Sequence, residues 1–255
     1  MLRTHTRVLL AGLLLLAILA LTACAKDIPV YTPPSERAVA PVDQPWVSGQ
    51  FLALAEDIGL MIPLGDWVLR QATRDAAHWP DEMKVAVNLS VSQLAQPDLA
   101  DTVEKALADA GLAAARLELE ITENALIANI QAASSHLLRL KVAGVSIVMD
   151  DFGTGYSSLG YLRAFPFDKV KIDKSFIRDL GEHSQGSAII GAVSHLCGKL
   201  GITATIEGVE THSQLSQLKD EHCAEGQGYV FGRPMPVEQI RAFMREWPQR
   251  WQATD

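Results

Sequence analysis

The sequence predicts an α/β fold of parallel strands, arranged as a TIM-type (β/α) barrel. From residue 48 onward, short apolar runs alternate with helical patterns, which is typical of β/α units. Polar residues stand where these runs end. In a β/α barrel, the active site lies at this carboxyl edge of the strands. A doubly wound open sheet gives the same alternation. However, Gly153, Gly155 and Gly160 do not have the spacing of a dinucleotide-binding loop.

Six strands are predicted, each from a short run rich in β-branched and aliphatic residues. In chain order they cover residues 85–90, 117–122, 146–150, 169–173, 203–207 and 226–231. Helices are predicted where apolar residues recur with a period near 3.6. They cover residues 50–56, 64–79, 98–110, 127–143, 157–163, 187–200, 212–220 and 237–247.

Composition limits the functional classes. The chain has 255 residues, 48% of them hydrophobic, with 22 basic and 30 acidic side chains and a net charge of −8. An acidic balance argues against nonspecific binding to DNA or to an anionic membrane surface. The three cysteines, Cys24, Cys197 and Cys223, form no CxxC pair, which argues against a zinc knuckle or a thioredoxin-type redox site.

The first 23 residues read as a signal peptide or a membrane anchor. Arg3 and Arg7 precede an apolar stretch over residues 8–21, and small residues follow. The segment Leu21-Thr-Ala-Cys24 resembles a bacterial lipobox, which implies that Cys24 is lipidated. An uncleaved anchor is the alternative, although the stretch is short for a span of about 20 residues. We therefore expect a membrane-associated, lipoprotein-like protein.

A proline-rich tether over residues 24–47 separates this leader from the folded domain. Prolines recur there with few large apolar residues, so the segment is expected to be extended rather than packed. They are Pro29, Pro33, Pro34, Pro41 and Pro45. The domain itself is predicted over residues 48–248.

Asp150 and Asp151 are the most informative residues of the domain. They end an apolar run over residues 145–149 and open a glycine turn over residues 152–156. Two carboxylates this close resist joint ionisation, and a divalent cation is the simplest remedy. Alternatively, Asp151 caps the helix that follows the turn.

Other polar residues stand at or near the ends of the remaining strands: Asn88, Glu120, Lys171, Glu207 and Gln227. Each has an ordinary explanation when taken singly. Asn88 could be a turn residue, Glu120 a paired surface acid, Lys171 a solvated lysine and Glu207 its ion-pair partner. Their joint occurrence on successive strand ends favours a shared site.

Six motifs together resemble the EAL domain family in order and spacing. These domains are bacterial phosphodiesterases that cut cyclic di-GMP to linear pGpG. The resemblance covers about residues 48–247. The motifs are Asn88-Leu-Ser90, Glu120-Ile-Thr-Glu123, the run 150–158, Lys171-Ile-Asp173, Glu207-Gly-Val-Glu-Thr211 and Gln227-Gly-Tyr229.

The resemblance implies a site with two divalent ions, Mg²⁺ or Mn²⁺, which the oxygen-rich ligand set suits. It implies that the metal ligands are Asn88, Glu120, Asp150 and Glu207, with Asp151 contributing to the second ion. By the same resemblance, Lys171 holds the attacking water or a phosphoryl oxygen. Glu207 also helps to take the proton.

The resemblance also implies supporting roles for two further residues. Gln227 resembles the residue that positions the active-site contacts. Glu123 resembles the residue that tethers the loop over residues 153–158. The family uses this loop near its dimer contact, which implies a homodimer.

The sequence departs from the family at its signature. No Glu-Ala-Leu tripeptide occurs in the chain. In the family its glutamate is a metal ligand, and a nearby arginine helps to hold the nucleotide. The resemblance therefore implies an incomplete barrel with about six of eight strands, and a phosphodiesterase activity that is reduced or lost. The alternative is a noncatalytic nucleotide-sensing or protein-interaction module anchored to a membrane, or a surface-anchored interaction protein unrelated to the nucleotide.

The expected location conflicts with the expected substrate. Cyclic di-GMP is made and used in the cytoplasm, whereas a lipoprotein signal places the domain outside the inner membrane. Fusion of an unrelated leader to a shortened domain accounts for the signal and the missing signature together.

Overall fold

The computed structural model describes residues 48–154, 160, 162, 165–178, 184–220 and 223–252. The predicted signal, the tether and Cys24 lie outside these ranges. So do residues 155–158 of the glycine loop and most of the helix predicted at 157–163. Within the described ranges, no helix combines the length and the apolar character that crossing a bilayer requires.

In these ranges, six parallel strands form one sheet, and each pairs with the next in chain order. The strands are β1 (Val85–Asn88), β2 (Leu117–Thr122), β3 (Ser146–Phe152), β4 (Lys169–Ile172), β5 (Thr203–Ile206) and β6 (Glu225–Gly226). The sheet curls into a half-barrel with helices, which confirms the predicted α/β class.

Helices connect the strands. They are α1 (Ser48–Asp57), α2 (Met61–Ala76), α3 (Val91–Leu94), α4 (Leu99–Ala110), α5 (Glu123–Val142), α6 (Ser175–Arg178), α7 (Ser184–Leu200), α8 (His212–Asp220) and α9 (Val237–Gln252). Every predicted helix within the described ranges is present. The short helices α3 and α6 were not predicted, because each spans a single turn and shows no period.

The first strand is shorter than predicted, because Ser90 starts a helix instead of continuing β1. The Ser90 hydroxyl accepts a hydrogen bond from the backbone N–H of Gln93, and the Gln93 side chain accepts one from the backbone N–H of Ser90. This reciprocal capping box satisfies two donors at the start of α3. The turn brings the chain off the sheet immediately after Asn88.

The sixth strand is also shorter than predicted. Residues 226–231 were expected to be extended, but β6 ends at Gly226. The chain then turns back over the end of β5: the carbonyl of Gln227 accepts from the N–H of Val209, and the carbonyl of Val209 accepts from the N–H of Val230. Pairing with Val209 replaces the ladder that a longer strand would need.

The two faces of the sheet differ in chemistry. Successive side chains of a strand point to opposite faces. In β2, Leu117, Leu119 and Ile121 join the apolar core between sheet and helices. Glu118 and Glu120 alternate with them and are also buried. At β2, the inner face of the half-barrel is therefore charged yet shielded from water.

Candidate functional site

Lys171 on β4 lies at the centre of a cluster of carboxylates at the carboxyl edge of the sheet. Its Nζ lies 2.6 Å from Glu207 Oε1, 3.1 Å from Glu120 Oε2 and 3.1 Å from Asp150 Oδ1. The Lys171 side chain is only 3% exposed. We call Lys171, these three acids and Asp151 the upper layer.

A β-bulge brings Asp151 into the upper layer. Between Met149 and Phe152, β3 has one residue more than its partner β4. In a regular strand, Asp150 and Asp151 would point to opposite faces. The bulge and the left-handed backbone of Asp151, with φ at 54°, turn the Asp151 side chain towards the face that Asp150 occupies. Ligand oxygens of Asp150, Asp151 and Glu207 consequently lie within 4.8 Å of one another.

The turn after the bulge holds Asp151 in its uncommon conformation. The Asp151 carbonyl accepts hydrogen bonds from the backbone N–H of Thr154 at 3.3 Å and from its hydroxyl at 2.9 Å. Gly153 has a φ of 97°, and a Cβ there would lie 2.6 Å from the Phe176 ring. Only glycine fits this turn, and backbone strain of this kind concentrates at functional sites.

The upper layer has more negative charge than Lys171 can neutralise. Burial, together with the charges of Asp150 and Glu207, raises the pKa of Glu120 to about 7 despite the attraction of Lys171. Burial, Asp150 and Asp151 likewise raise the pKa of Glu207. Burial opposes the charge of Lys171, but the surrounding carboxylates outweigh it and raise the lysine's pKa. One ammonium thus balances only part of the cluster.

The donor set fits a divalent cation. Asp150, Asp151 and Glu207 offer converging carboxylate oxygens, the ligands that Mg²⁺, Mn²⁺ and Ca²⁺ prefer. Burial and Asp150 raise the pKa of Asp151, so the ionised form lacks a sufficient counter-charge. A cation bound to these three acids would supply it.

The remaining predicted residues lie around this cluster. Asn88 ends β1 directly opposite Glu120 in the strand register, and it is exposed. Gln227 follows β6, and its N–H donates to the carbonyl of Ile206, next to Glu207. Glu123 opens α5 immediately after β2 and is fully buried. The group of converging carboxylates includes neither Glu123 nor the predicted metal ligand Glu120.

A second charged cluster lies below the upper layer and was not predicted. Lys169 Nζ contacts Glu118 Oε2 at 2.8 Å and Glu225 Oε2 at 2.7 Å. Lys84 contacts Glu118 at 3.0 Å, and the Thr205 hydroxyl donates to Glu225 at 3.1 Å. We call these five residues the lower layer. The signal was visible in the sequence as charges two residues apart, at 118 and 120 and at 169 and 171.

Comparison with known proteins finds a match to the EAL domain family over residues 37–234. Among curated relatives, the cyclic di-GMP phosphodiesterase NbdA of Pseudomonas aeruginosa is 45% identical over 204 residues, which are 78% of this chain and 26% of NbdA. The chain spans about a quarter of the length of this relative and of two others that are 48% and 49% identical.

Solved structures show the same fold. The PaMucR phosphodiesterase in complex with c-di-GMP is 41% identical, with a TM-score of 0.74, over 79% of this chain and 83% of that one. Klebsiella pneumoniae BlrP1 in its manganese/cy-diGMP complex is 33% identical, with a TM-score of 0.64, over 68% of this chain and 44% of that one. The same protein also forms a calcium/cy-diGMP complex.

Proposed function

Because the chain belongs to the EAL domain family, we propose that its upper layer hydrolyses cyclic di-GMP to pGpG with two divalent cations, Mg²⁺ or Mn²⁺. The observation that carries the proposal is the convergence of Asp150, Asp151 and Glu207 beside Lys171. Relatives that share this fold are cyclic di-GMP phosphodiesterases or hold the dinucleotide in their structures.

Asp150, Asp151 and Glu207 would hold the cations, with Glu120 and Asn88 completing the ligands from the neighbouring strands. When bound, divalent ions lower the pKa of a coordinated water and stabilise charge on the phosphate. Burial of Lys171, Glu120 and Asp150 strengthens these interactions, because little water screens them.

Lys171 contributes a fixed positive charge. Its three carboxylate partners keep the ammonium protonated and hold it at the centre of the layer. In this position it can donate a hydrogen bond to the attacking water or to a non-bridging phosphate oxygen. Such preorganised donors stabilise charge that develops in the transition state.

Glu207 is the proposed proton acceptor. Its pKa is raised above the ordinary value, first by burial and then by Asp150 and Asp151. A carboxylate with a raised pKa is a better general base near neutral pH. Its contact with Lys171 at 2.6 Å fixes its direction.

A second candidate function is noncatalytic binding of the nucleotide or of a protein partner. It is favoured by the absence of a Glu-Ala-Leu segment from the sequence. Under this proposal, the protein binds cyclic di-GMP in the presence of a divalent ion but releases no pGpG. Homodimer formation, which the family resemblance implies, is compatible with either function.

Turnover by the purified full chain distinguishes the two functions. The protein would be incubated with cyclic di-GMP and Mn²⁺, and pGpG would be measured by chromatography. The proposed enzyme forms pGpG, and Asp150→Asn does not, whereas Arg139→Ala on the surface does. Tight nucleotide binding without product would favour the noncatalytic module. If the protein neither binds the nucleotide nor forms product, both the enzyme and the nucleotide-binding module are refuted.

The membrane anchor is a separate proposal that depends on the lipobox resemblance of residues 21–24. Lipidation of Cys24 would place the chain in the membrane fraction. Incorporation of a labelled fatty acid distinguishes a lipid from the apolar segment, which a Cys24→Ala variant keeps. We expect label in the wild-type protein and none in Cys24→Ala, and no label in the wild-type protein would rule out lipidation of Cys24.

A further inference from the structure

Tyr229 and Arg233 form an exposed stack at the site edge of the sheet. The Arg233 guanidinium carbon lies 4.5 Å from the centroid of the Tyr229 ring, the geometry of a cation–π contact. Arg233 is exposed, and Tyr229 is 50% exposed. Among the phenylalanine, tyrosine and tryptophan side chains whose burial the structure describes, Tyr229 is the one with so large an exposed surface.

The chain places this stack beside the upper layer. The loop starts at Gln227, directly after β6, and pairs with Val209 through two backbone hydrogen bonds of 3.0 Å. Val209 stands two residues after Glu207 of the upper layer. A Cβ on Gly228 would lie 2.1 Å from the Val209 carbonyl oxygen, so glycine is required for this close approach. The loop is thereby fixed against the segment that follows Glu207.

We propose that Tyr229 and Arg233 form a stacking platform for a guanine base of the substrate, an inference that rests on the proposed function. Aromatic rings and guanidinium planes are the groups on which proteins stack unpaired bases. A cyclic dinucleotide presents bases as well as phosphates, and the upper layer has no aromatic ring or guanidinium on which a base could stack. Arg233 also brings positive charge to the edge of an acidic site, which an anionic ligand requires.

Equilibrium binding by the full chain tests the platform. Cyclic di-GMP would be titrated calorimetrically in Ca²⁺, the ion that accompanies the dinucleotide in one BlrP1 complex. Tyr229→Ala and Arg233→Met are expected to raise the Kd about 5- to 150-fold, the range for loss of one stacked base. Tyr229→Phe keeps the ring and is expected to restore binding. Arg241→Met, which removes an exposed arginine from α9, is the matched control and should bind as the wild type does.

A purely structural loop would give a different pattern. Titration of Mn²⁺ without the dinucleotide measures cation binding at the upper layer. The Kd for Mn²⁺ should be the same in the platform variants as in the wild-type protein. If Tyr229→Ala and Arg233→Met bind the dinucleotide as tightly as the wild-type protein does, the platform is overturned but the proposed function is not. Weakened Mn²⁺ binding in these variants, without rescue by Tyr229→Phe, would assign the stack to loop structure and overturn it too. No dinucleotide binding by the wild-type protein would overturn the proposed function as well.

Discussion

Two layers of charged side chains line the inner face of the half-barrel, one pleat of the sheet apart. They differ in the balance between positive and negative charge. In the lower layer, Lys84 and Lys169 face Glu118 and Glu225. Burial opposes the charge of Glu118, but the two lysines outweigh it and lower the pKa of the carboxyl. In the upper layer, Lys171 contacts three of the four carboxylates, and the pKa of Glu120, Glu207 and Asp151 is raised instead.

The difference separates a structural ion-pair network from a binding site. A buried carboxylate with adequate lysine partners is satisfied and has no need of a further ligand. A buried cluster with surplus negative charge is stabilised by any cation that fits it. Because Lys169 and Lys171 stand two residues apart on β4, identical substitutions in the two layers compare these cases directly.

The largest expected effect is on turnover. Loss of a carboxylate from the upper layer should lower turnover far more than loss of one from the lower layer. Asp150→Asn is expected to lower kcat/KM for cyclic di-GMP at least about 100-fold, because even residues behind metal ligands matter by 10- to 100-fold. Glu118→Gln, in the lower layer, should change turnover far less at a temperature where both variants are folded. Equal losses would contradict the separation of the layers.

Loss of the lysine should respond differently to Mn²⁺ in the two layers. Lys171→Met removes the ammonium partner of three carboxylates, which costs about 3–5 kcal/mol in the free energy of unfolding. Lys169→Met should cost less, because Glu118 keeps Lys84 and Glu225 keeps the Thr205 hydroxyl. Mn²⁺ should recover part of this loss in Lys171→Met, since a cation can take over the ammonium's charge, but none in Lys169→Met. Chemical denaturation with and without Mn²⁺ measures both. Equal recovery would show that cation binding is not confined to the upper layer.

The pH dependence of stability should have opposite signs in the two layers. Glu120 titrates near 4.5 when unfolded and at about 7 when folded. Between these values the folded protein holds a proton that the unfolded chain has released. The free energy of unfolding of the metal-free protein therefore falls as pH rises through this window, by on the order of 3 kcal/mol.

Glu118 has a lowered pKa, so its contribution is present above its ordinary value of 4.5 and is lost as pH falls through the folded value. Denaturation midpoints measured in chelator should therefore show a slope between about pH 4.5 and 7 that Glu120→Gln reduces and Glu118→Gln does not. A slope that survives in Glu120→Gln unchanged would mean that another group is responsible.

The smallest effect is expected from Thr205→Val. The Thr205 hydroxyl donates to Glu225 at 3.1 Å and is fully buried. Loss of one such hydrogen bond lowers the free energy of unfolding by about 1–3 kcal/mol, since Lys169 still pairs with Glu225. The Kd for Mn²⁺ should not change. A change in metal affinity would show that the lower layer positions the upper one.

Part of this architecture follows from the sequence. The five longer strands, and the meeting of Glu120, Asp150, Lys171 and Glu207 at one edge, were predicted because parallel strands bring their carboxyl ends together. The side-chain direction of Asp151 was not predictable, because it depends on a bulge whose register only the partner strand β4 defines. β6 was predicted too long, because its pairing with Val209 is a tertiary contact.

The lower layer was missed for a different reason. Alternation of charged and apolar residues, as at 117–122, usually indicates a strand with one face in water. Here the charged face is buried, because Glu118 on β2 meets Lys169 on β4 across the curved sheet. Only the curvature of the half-barrel, which no local pattern encodes, turns a polar face into an interior.

Titration of Mn²⁺ into the metal-free full chain, followed by the electron paramagnetic resonance signal of the free ion, tests the surplus of negative charge most directly. We expect saturable binding by the wild-type protein and by Glu118→Gln, and binding at least about 100-fold weaker in Asp150→Asn. Binding that is absent from the wild-type protein, or unchanged in Asp150→Asn, would contradict the assignment of the upper layer as the cation site.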